Sequence, residues 1–347
     1  MKKSYYIAVF LVLGIVMLGI SRYRNRTAQT DTPSASYSQL SGEVFHTFYH
    51  ITYSHPADYK HEIDSLLKDV DNSLSMFNAS STLSRMNRND ESAVADAYFR
   101  TVFRKGQTVS ALTDGFFDMT VAPLVNLWGF GFRNSDKVTP GAVDSCLQFI
   151  GYQTVSLDSA GRLHKQDPRT ILDASSIAKG FACDVVASFL KDKGIRNYLV
   201  EIGGEIALSG VNAKGNAWTV GIAKPVPDSL QGDHGYQAYL TNLDGGMATS
   251  GNYRNFYEKD GKRIAHTINP KTGYPIQKDI LSATIIAPDC MTADAFATSF
   301  MVIGRDKALQ LLAQLPEIEG YLICPSPSDS TQLEIVFSDG FRKYIKE

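Results

Sequence analysis

Cysteine is scarce in this chain of 347 residues. Cys146, Cys183, Cys290 and Cys324 are scattered, and no two of them form a C-x-x-C pair. That spacing argues against a structural zinc site and against a thiol redox motif. A dominant charge is missing as well: 34 basic and 36 acidic residues leave a formal net charge of -2. Such a balance gives no pull toward nucleic acid. The paired glycines Gly203 and Gly204 do not fall into G-x-G-x-x-G, so a Rossmann nucleotide site has no support. Regular βαβ alternation is also absent. Strand-like and helix-like segments are interspersed, and several strands are sequential and amphipathic. That predicts an α+β fold with largely antiparallel sheets rather than a doubly wound parallel one.

Long apolar runs are limited to the N-terminus. Lys2 and Lys3 precede an unbroken run from Tyr5 to Ile20, and Arg22, Arg24 and Arg26 follow. A helix over that run would be about 24 Å long, a little short of the roughly 30 Å hydrocarbon core. The flanking basic residues could snorkel to close the gap. An uncleaved signal anchor is favoured over a removed signal peptide, because Arg22 directly follows the weak Gly19-x-Ser21 pattern. Basic residues on both sides leave the orientation open. Residues 21–41 are polar, rich in Ser and Thr, and read as a linker. Residues 42–347 form the body, and the whole chain's hydrophobic content of 44% and charged content of 20% are those of a globular protein.

Within the body, Glu43 to Tyr53 reads as a first strand. Ile63, Leu66, Leu67, Val70 and Leu74 recur at helical spacing. Residues 75–87 read as a loop, and a second helix is predicted over 93–113 with Gly115 just beyond it. A short helix near 142–150 leads to strands at 154–157 and 170–172. Asp173, Ser175 and Ser176 supply cap chemistry for a helix ending near Gly194. Strands are predicted at 197–202, 218–223, 236–240 and 281–287. A helix over 291–304 is read as capped by Thr292, followed by one over 306–315. A closing pair of strands spans 321–344 around Ser338-Asp339-Gly340.

Four stretches carry candidate chemistry. In Ala248 to Pro275, Thr249-Ser250-Gly251 reads as a small-residue turn, and His266 meets the rigid turn Asn269-Pro270 to Gly273-Tyr274-Pro275. A histidine there is placed for proton transfer near neutral pH; the bland alternative is a surface hairpin. In Gly115 to Gly131, Asp118 sits among Phe116, Phe117, Trp128 and Phe130, with glycines that let backbone approach a flat heterocycle; the alternative is a buried aromatic core with a capping aspartate. Lys179 lies at the positive end of its helix, which is unfavourable by about 0.3–1 kcal/mol unless an anion faces it. Asp294 and Thr298, at i and i+4, put hard oxygens on one helix face and suit Mg²⁺ completed by water and phosphate. The alternative there is a dipole-compensating aspartate and a back-bonded threonine.

Together these stretches resemble the ApbE family of FAD:protein FMN transferases. The resemblance rests on Gly115-Phe116-Phe117-Asp118 with Pro123 and Trp128-Gly129-Phe130-Gly131, and on Asp173 to Asp184 with Lys179-Gly180. It also rests on Glu201 with Gly203-Gly204-Glu205, Thr249-Ser250-Gly251 with Tyr253, His266 with Asn269-Pro270 and Thr272 to Pro275, and Ala293-Asp294 with Thr298. They occur in family order from about Gly42 onward. The resemblance implies an ApbE-like α+β unit of two intertwined lobes that binds FAD and Mg²⁺. The same resemblance implies transfer of FMN to a Thr or Ser hydroxyl of an acceptor protein, with release of AMP. It further implies Mg²⁺ ligation by Ser176, Asp294 and Thr298, and His266 as the base. Contacts to FAD are implied for Phe45, Phe77, Phe116, Phe117, Asp118, Lys179 and Ile268. The acceptor is expected to be a membrane redox subunit. The body is expected on the periplasmic side of a bacterial inner membrane. The family's usual Met-Gly-Thr reads Phe45-His46-Thr47 here, and Asn269 and Lys271 replace an Asp and an Arg. Two other readings stand beside this one: an Mg²⁺-dependent FAD pyrophosphatase, and a non-catalytic, membrane-tethered flavin-binding protein.

Overall fold

One interior strand of the main sheet, Ser282–Ala287 (SATIIA), is buried at every position. Strands that read as continuous small and β-branched residues are those with both faces covered, and this one is β12 in chain order. The computed structural model describes residues 36–131, 138–225, 235–251, 256–259, 262–276, 279–326, 328–329 and 332–346. Tyr37 to Glu347 make one compact unit. The expected membrane segment, Tyr5 to Ile20, lies outside the described residues. Among the described residues no helix is long and apolar enough to cross a membrane.

The strands are β1 (Ser38–Val44), β2 (Thr47–Tyr53), β3 (Val155–Leu157), β4 (Leu163–Lys165), β5 (Tyr198–Ile202), β6 (Glu205–Ser209) and β7 (Val220–Ala223). They continue as β8 (Tyr236–Leu240), β9 (Gly245–Gly251), β10 (Phe256–Lys259), β11 (Lys262–Ala265), β12, β13 (Glu319–Pro325) and β14 (Leu333–Phe337). The α-helices are α1 (Lys60–Leu74), α2 (Thr82–Asn87), α3 (Ala97–Leu112), α4 (Ala122–Leu127), α5 (Pro140–Leu147), α6 (Ala178–Asp192), α7 (Cys290–Ile303) and α8 (Arg305–Leu312). One sheet of eight strands, in the order β1-β2-β5-β6-β9-β12-β13-β14, carries the fold. Every neighbouring pair in it is antiparallel. The α+β expectation therefore holds.

Period-2 alternation sends successive side chains to opposite faces of the sheet. Ala207, Ala283, Ile285 and Ala287 face the main core, where they meet α1, α3, α6 and α7. Ile206, Leu208, Met247, Ile286, Tyr321 and Ile323 face a second core closed by β7, β8 and Phe341. A third cluster joins Leu124 of α4, Val143 of α5 and Ile268. Helix α7 is the hub: every residue in it except Thr298 is buried. A helix apolar all round belongs inside a protein, and here the one position that escapes full burial is a hydroxyl.

Several local expectations are corrected. The first strand is a hairpin, β1 and β2, that begins at Ser38, inside the polar stretch read as linker. Its two-residue turn puts Phe45 and His46 at φ 51° and 59°. Such turns normally carry Asn or Gly, so the sequence gave no turn signal. Within the supposed loop 75–87, Ser81 accepts a hydrogen bond from the Ser84 N–H and opens α2. Thr249-Ser250-Gly251 is not a turn but the end of β9, paired with Ser282, Ala283 and Thr284 of β12. Residues 170–172 form only an isolated bridge, Ile171 to Val121. β4 and β6 went unread. Helix α7 is capped by Asp289, with Thr292 donating to it, rather than by Thr292 itself. Ser338 starts a 3₁₀ helix over Asp339–Tyr344 instead of a strand turn.

Candidate active site

Helices α6 and α7 meet where each begins. Gly180 makes this possible: a Cβ there would sit 2.4 Å from the Cys290 carbonyl oxygen and 2.8 Å from the Asp294 Cβ. With no side chain in the way, the Gly180 N–H reaches the Asp294 carboxylate at 3.0 Å. Asp184, one turn on, locks the same contact from the other side. Its two oxygens accept the N–H groups of Cys290 and Met291, each at 2.8 Å, and so satisfy orphan donors of α7. Burial pushes the Asp184 carboxyl up to about 7, against the pull of those two bonds.

Asp294 is 3% exposed. Burial raises its carboxyl above the ordinary range, while Lys179 and the Gly180 N–H work the other way. One turn later, Thr298 Oγ1 lies 3.3 Å from Ser250 Oγ on β9, and on the opposite face of the sheet Thr249 bonds Thr284 at 2.9 Å. Lys179, the second residue of α6, forms an ion pair with Glu205 at the start of β6. Burial works to lower the lysine, but the Glu205 and Asp294 carboxylates outweigh it and hold the ammonium above its usual value. The misplaced cation of the sequence is thus paired with one carboxylate, Glu205, and lies in the field of a second, Asp294.

The oxygens gathered here are hard ligands. Among the described residues no cluster of three or more His, Cys, Asp or Glu side chains exists to cage a metal. One carboxylate with a hydroxyl a turn away fits a cation of the Mg²⁺ kind, which keeps waters and shares a substrate's phosphates. Ser176 is half-buried just ahead of α6, four residues before Gly180, and no hydrogen bond ties it to Asp294.

A second part of the site joins distant aromatic stretches. Trp128 donates its indole N–H to the Gly273 carbonyl at 2.8 Å, and its ring lies 5.8 Å from that of Tyr274. Phe130 meets the His266 ring edge-on at 6.3 Å. The turn is rigid: Asn269 bonds Tyr274 and Gly273 through the backbone, and its side chain accepts from the Lys271 N–H. β10 and β11 pair Phe256 with Ala265, so the ribbon that leaves β9 returns at its base to deliver His266. Lys271 also pairs with Asp114 and lies 4.5 Å from the Phe116 ring, with Lys307 at 5.1 Å.

The expected flavin contacts divide. Phe116 and Phe45 are half-buried, and Phe77 is 64% exposed with its ring against His46. Phe117, Asp118 and Ile268 are buried. Asp118 accepts from the Thr120 N–H and hydroxyl and from the Tyr152 N–H, so it pins the chain near Tyr152. The expected capping role does not describe those contacts, because α4 begins at Ala122 with no side-chain cap bond, whereas the burial of Phe117 and Asp118 matches the aromatic-core alternative. What the sequence reading missed is the grip of Glu205 on Lys179 and of Asp184 on α7. The available signal was an acidic residue opening the strand Glu205–Ser209, four of whose five residues are buried.

The chain is similar to known proteins over most of its length. A model described as the ApbE family matches residues 45–322. A Haemophilus influenzae protein named FAD:protein FMN transferase is 39% identical over 299 residues, 82% of this chain and 85% of its own. A Vibrio cholerae protein of the same name is 37% identical and covers 89% of this chain and 91% of its own. The solved flavin transferase ApbE from Vibrio cholerae superposes with a TM-score of 0.79 at 35% identity, over 89% of this chain and 99% of that one. The apo flavinyl transferase ApbE from Pseudomonas stutzeri gives 0.77 at 30% identity, over 89% and 96%.

Proposed function

The chain belongs to the ApbE family and is a transferase, and from that premise we propose that it moves FMN from FAD onto a Thr or Ser hydroxyl of an acceptor protein with Mg²⁺. The observation that carries this reading is the Asp294–Thr298 pair opening beside Lys179 at the junction of α6 and α7. In the reaction, the acceptor hydroxyl oxygen attacks the phosphorus of the FMN half. The bond to the AMP phosphate breaks, AMP leaves, and His266 takes the hydroxyl proton. A divalent cation held by Asp294 and Thr298, with Ser176 alongside, would neutralise diphosphate charge. Lys179 adds a fixed positive charge. The Trp128–Gly273 bond keeps the His266 turn in register with the aromatic surface, where placement governs rate. Phe45, Phe77 and Phe116 offer rings for the isoalloxazine.

The test is incubation with FAD and Mg²⁺, with and without an acceptor, read as protein-bound flavin, free FMN and AMP. Asp294→Ala should lose the Mg²⁺ response, and its retention would overturn the metal assignment. Free FMN without labelled acceptor would mark a pyrophosphatase. We also place the body on the extracytoplasmic face of an inner membrane, held by Tyr5 to Ile20, with a membrane redox subunit as acceptor. Carbonate-washed membranes should retain the full chain and release one lacking residues 1–20.

A further inference from the structure

Three charged groups share the space between α6, α7 and β6: Lys179, Glu205 and Asp294. The Gly203-Gly204 turn, with φ of 62° and 103°, brings Glu205 there. Glu201 secures that turn by accepting the Gly204 N–H at 2.7 Å. Glycine at 203 suits its positive φ and the close approach of Thr47, whose Cγ2 would lie 2.9 Å from a Cβ there, while the Lys179 stem runs past at ordinary contact distance, its Cδ 3.5 Å from that point. The ammonium ends on Glu205 Oε1, within the field of the Asp294 carboxylate. The second oxygen, Glu205 Oε2, is buried with no hydrogen-bond partner among the described residues. A partnerless buried carboxylate oxygen is costly, so this placement does not optimise stability.

We propose that Glu205 is a positioning residue: it holds the Lys179 ammonium off the Asp294 carboxylate, leaving Asp294 open to a divalent cation and Lys179 free to face a diphosphate. The proposal rests on the Asp294 metal reading above and deepens it. Lys179, next in sequence to the Gly180 N–H that Asp294 accepts, is a cation whose field reaches Asp294, and Glu205 pairs with it. With Glu205→Gln, the lysine retains only one carboxylate, Asp294, and the two neutralise each other. A metal then has to displace an ion pair.

The probe is Mn²⁺ or Mg²⁺ alone, titrated by calorimetry into the purified full chain without FAD. Glu205→Gln should weaken binding by about 10–100-fold, the scale for residues that orient metal ligands. Lys179→Met, which deletes the competitor, should bind the cation no more weakly than wild type. In the Lys179→Met background, Glu205→Gln should then cost little. Glu205→Asp, which keeps the charge, should recover part of the affinity and guards against a glutamine variant that fails to fold. Wild-type affinity in a folded Glu205→Gln overturns the proposal. So does an equal loss in both backgrounds, which would make Glu205 a direct ligand or a simple charge. If the wild-type chain binds neither cation and Asp294→Ala changes nothing, the metal reading itself falls and takes the proposal with it.

Discussion

Replacing Gly180 with alanine separates what helix propensity predicts from what packing predicts. Position 180 lies in the first turn of α6, where alanine is favoured over glycine by about 1 kcal/mol. The added methyl, however, would lie 2.4 Å from the Cys290 carbonyl oxygen, 2.7 Å from its carbon and 2.8 Å from Asp294 Cβ. Non-bonded heavy atoms settle at about 3.5–4.0 Å, so the helices would have to part by about 1 Å. Neither can yield easily, because α7 is buried along its length and the opposing atoms are backbone. Overpacking of this kind costs about 1–3 kcal/mol. Parting the helices also stretches the Gly180 N–H bond to Asp294, and hydrogen bonds to charged groups contribute about 1.5–3 kcal/mol. After the propensity gain is offset, Gly180→Ala should destabilise the protein by about 2–4 kcal/mol, a fall in Tm of roughly 3–6 °C at this size. Gly141 is the control: it lies in α5 with nothing within 4 Å of where its Cβ would go, so Gly141→Ala should be neutral or stabilising by up to about 1 kcal/mol. Thermal and urea unfolding of both variants decide the matter. A Gly180→Ala protein as stable as wild type, with unchanged cation binding, would refute the close helix contact on which the site depends.

Other consequences follow from the same geometry. His266→Ala should lower transfer by about 10²–10⁴-fold while flavin fluorescence titration shows FAD binding retained; a wild-type rate would remove the histidine as base. Trp128→Phe leaves the Gly273 carbonyl without its indole donor, at about 1–3 kcal/mol, and should raise the KM for FAD by releasing the His266 turn. The Asp184 carboxyl, raised to about 7 in the fold, binds a proton that the unfolded chain has already lost. Its contribution to stability is therefore present below about pH 4 and lost as pH rises through about 7. Asp184→Asn should lower stability overall, since the Cys290 and Met291 N–H groups each use a different carboxylate oxygen and the amide would set an NH2 donor against one of them. It should also flatten the fall in Tm between pH 5 and pH 8, and an unchanged slope would show that Asp184 is ionised throughout.

Local chemistry was legible wherever one segment decided the outcome alone. The 3.6-residue stripe of Ile63, Leu67, Val70 and Leu74 gives α1, and those residues are its buried face. The Asn269 to Pro275 turn is rigid because its own side chains and backbone close it. Asp294 and Thr298 share a face by helical spacing alone. Short-range signals failed where a residue's state depends on distant partners. Ser250 and Gly251 read as a turn, because small residues are permissive when alone. They are strand residues because β12 pairs with them and α7 packs against them. Phe45 and His46 carry no turn signature, yet the β1–β2 pairing forces both to positive φ. The sequence by itself determined which residue types were available to the site and the spacing within each motif. Tertiary packing alone decided that Lys179 meets Glu205 and Asp294, that Gly180 lets two helices touch, and that Trp128 holds the turn at Gly273. Those contacts join segments tens to more than a hundred residues apart, and no propensity within a segment encodes which partner burial will supply.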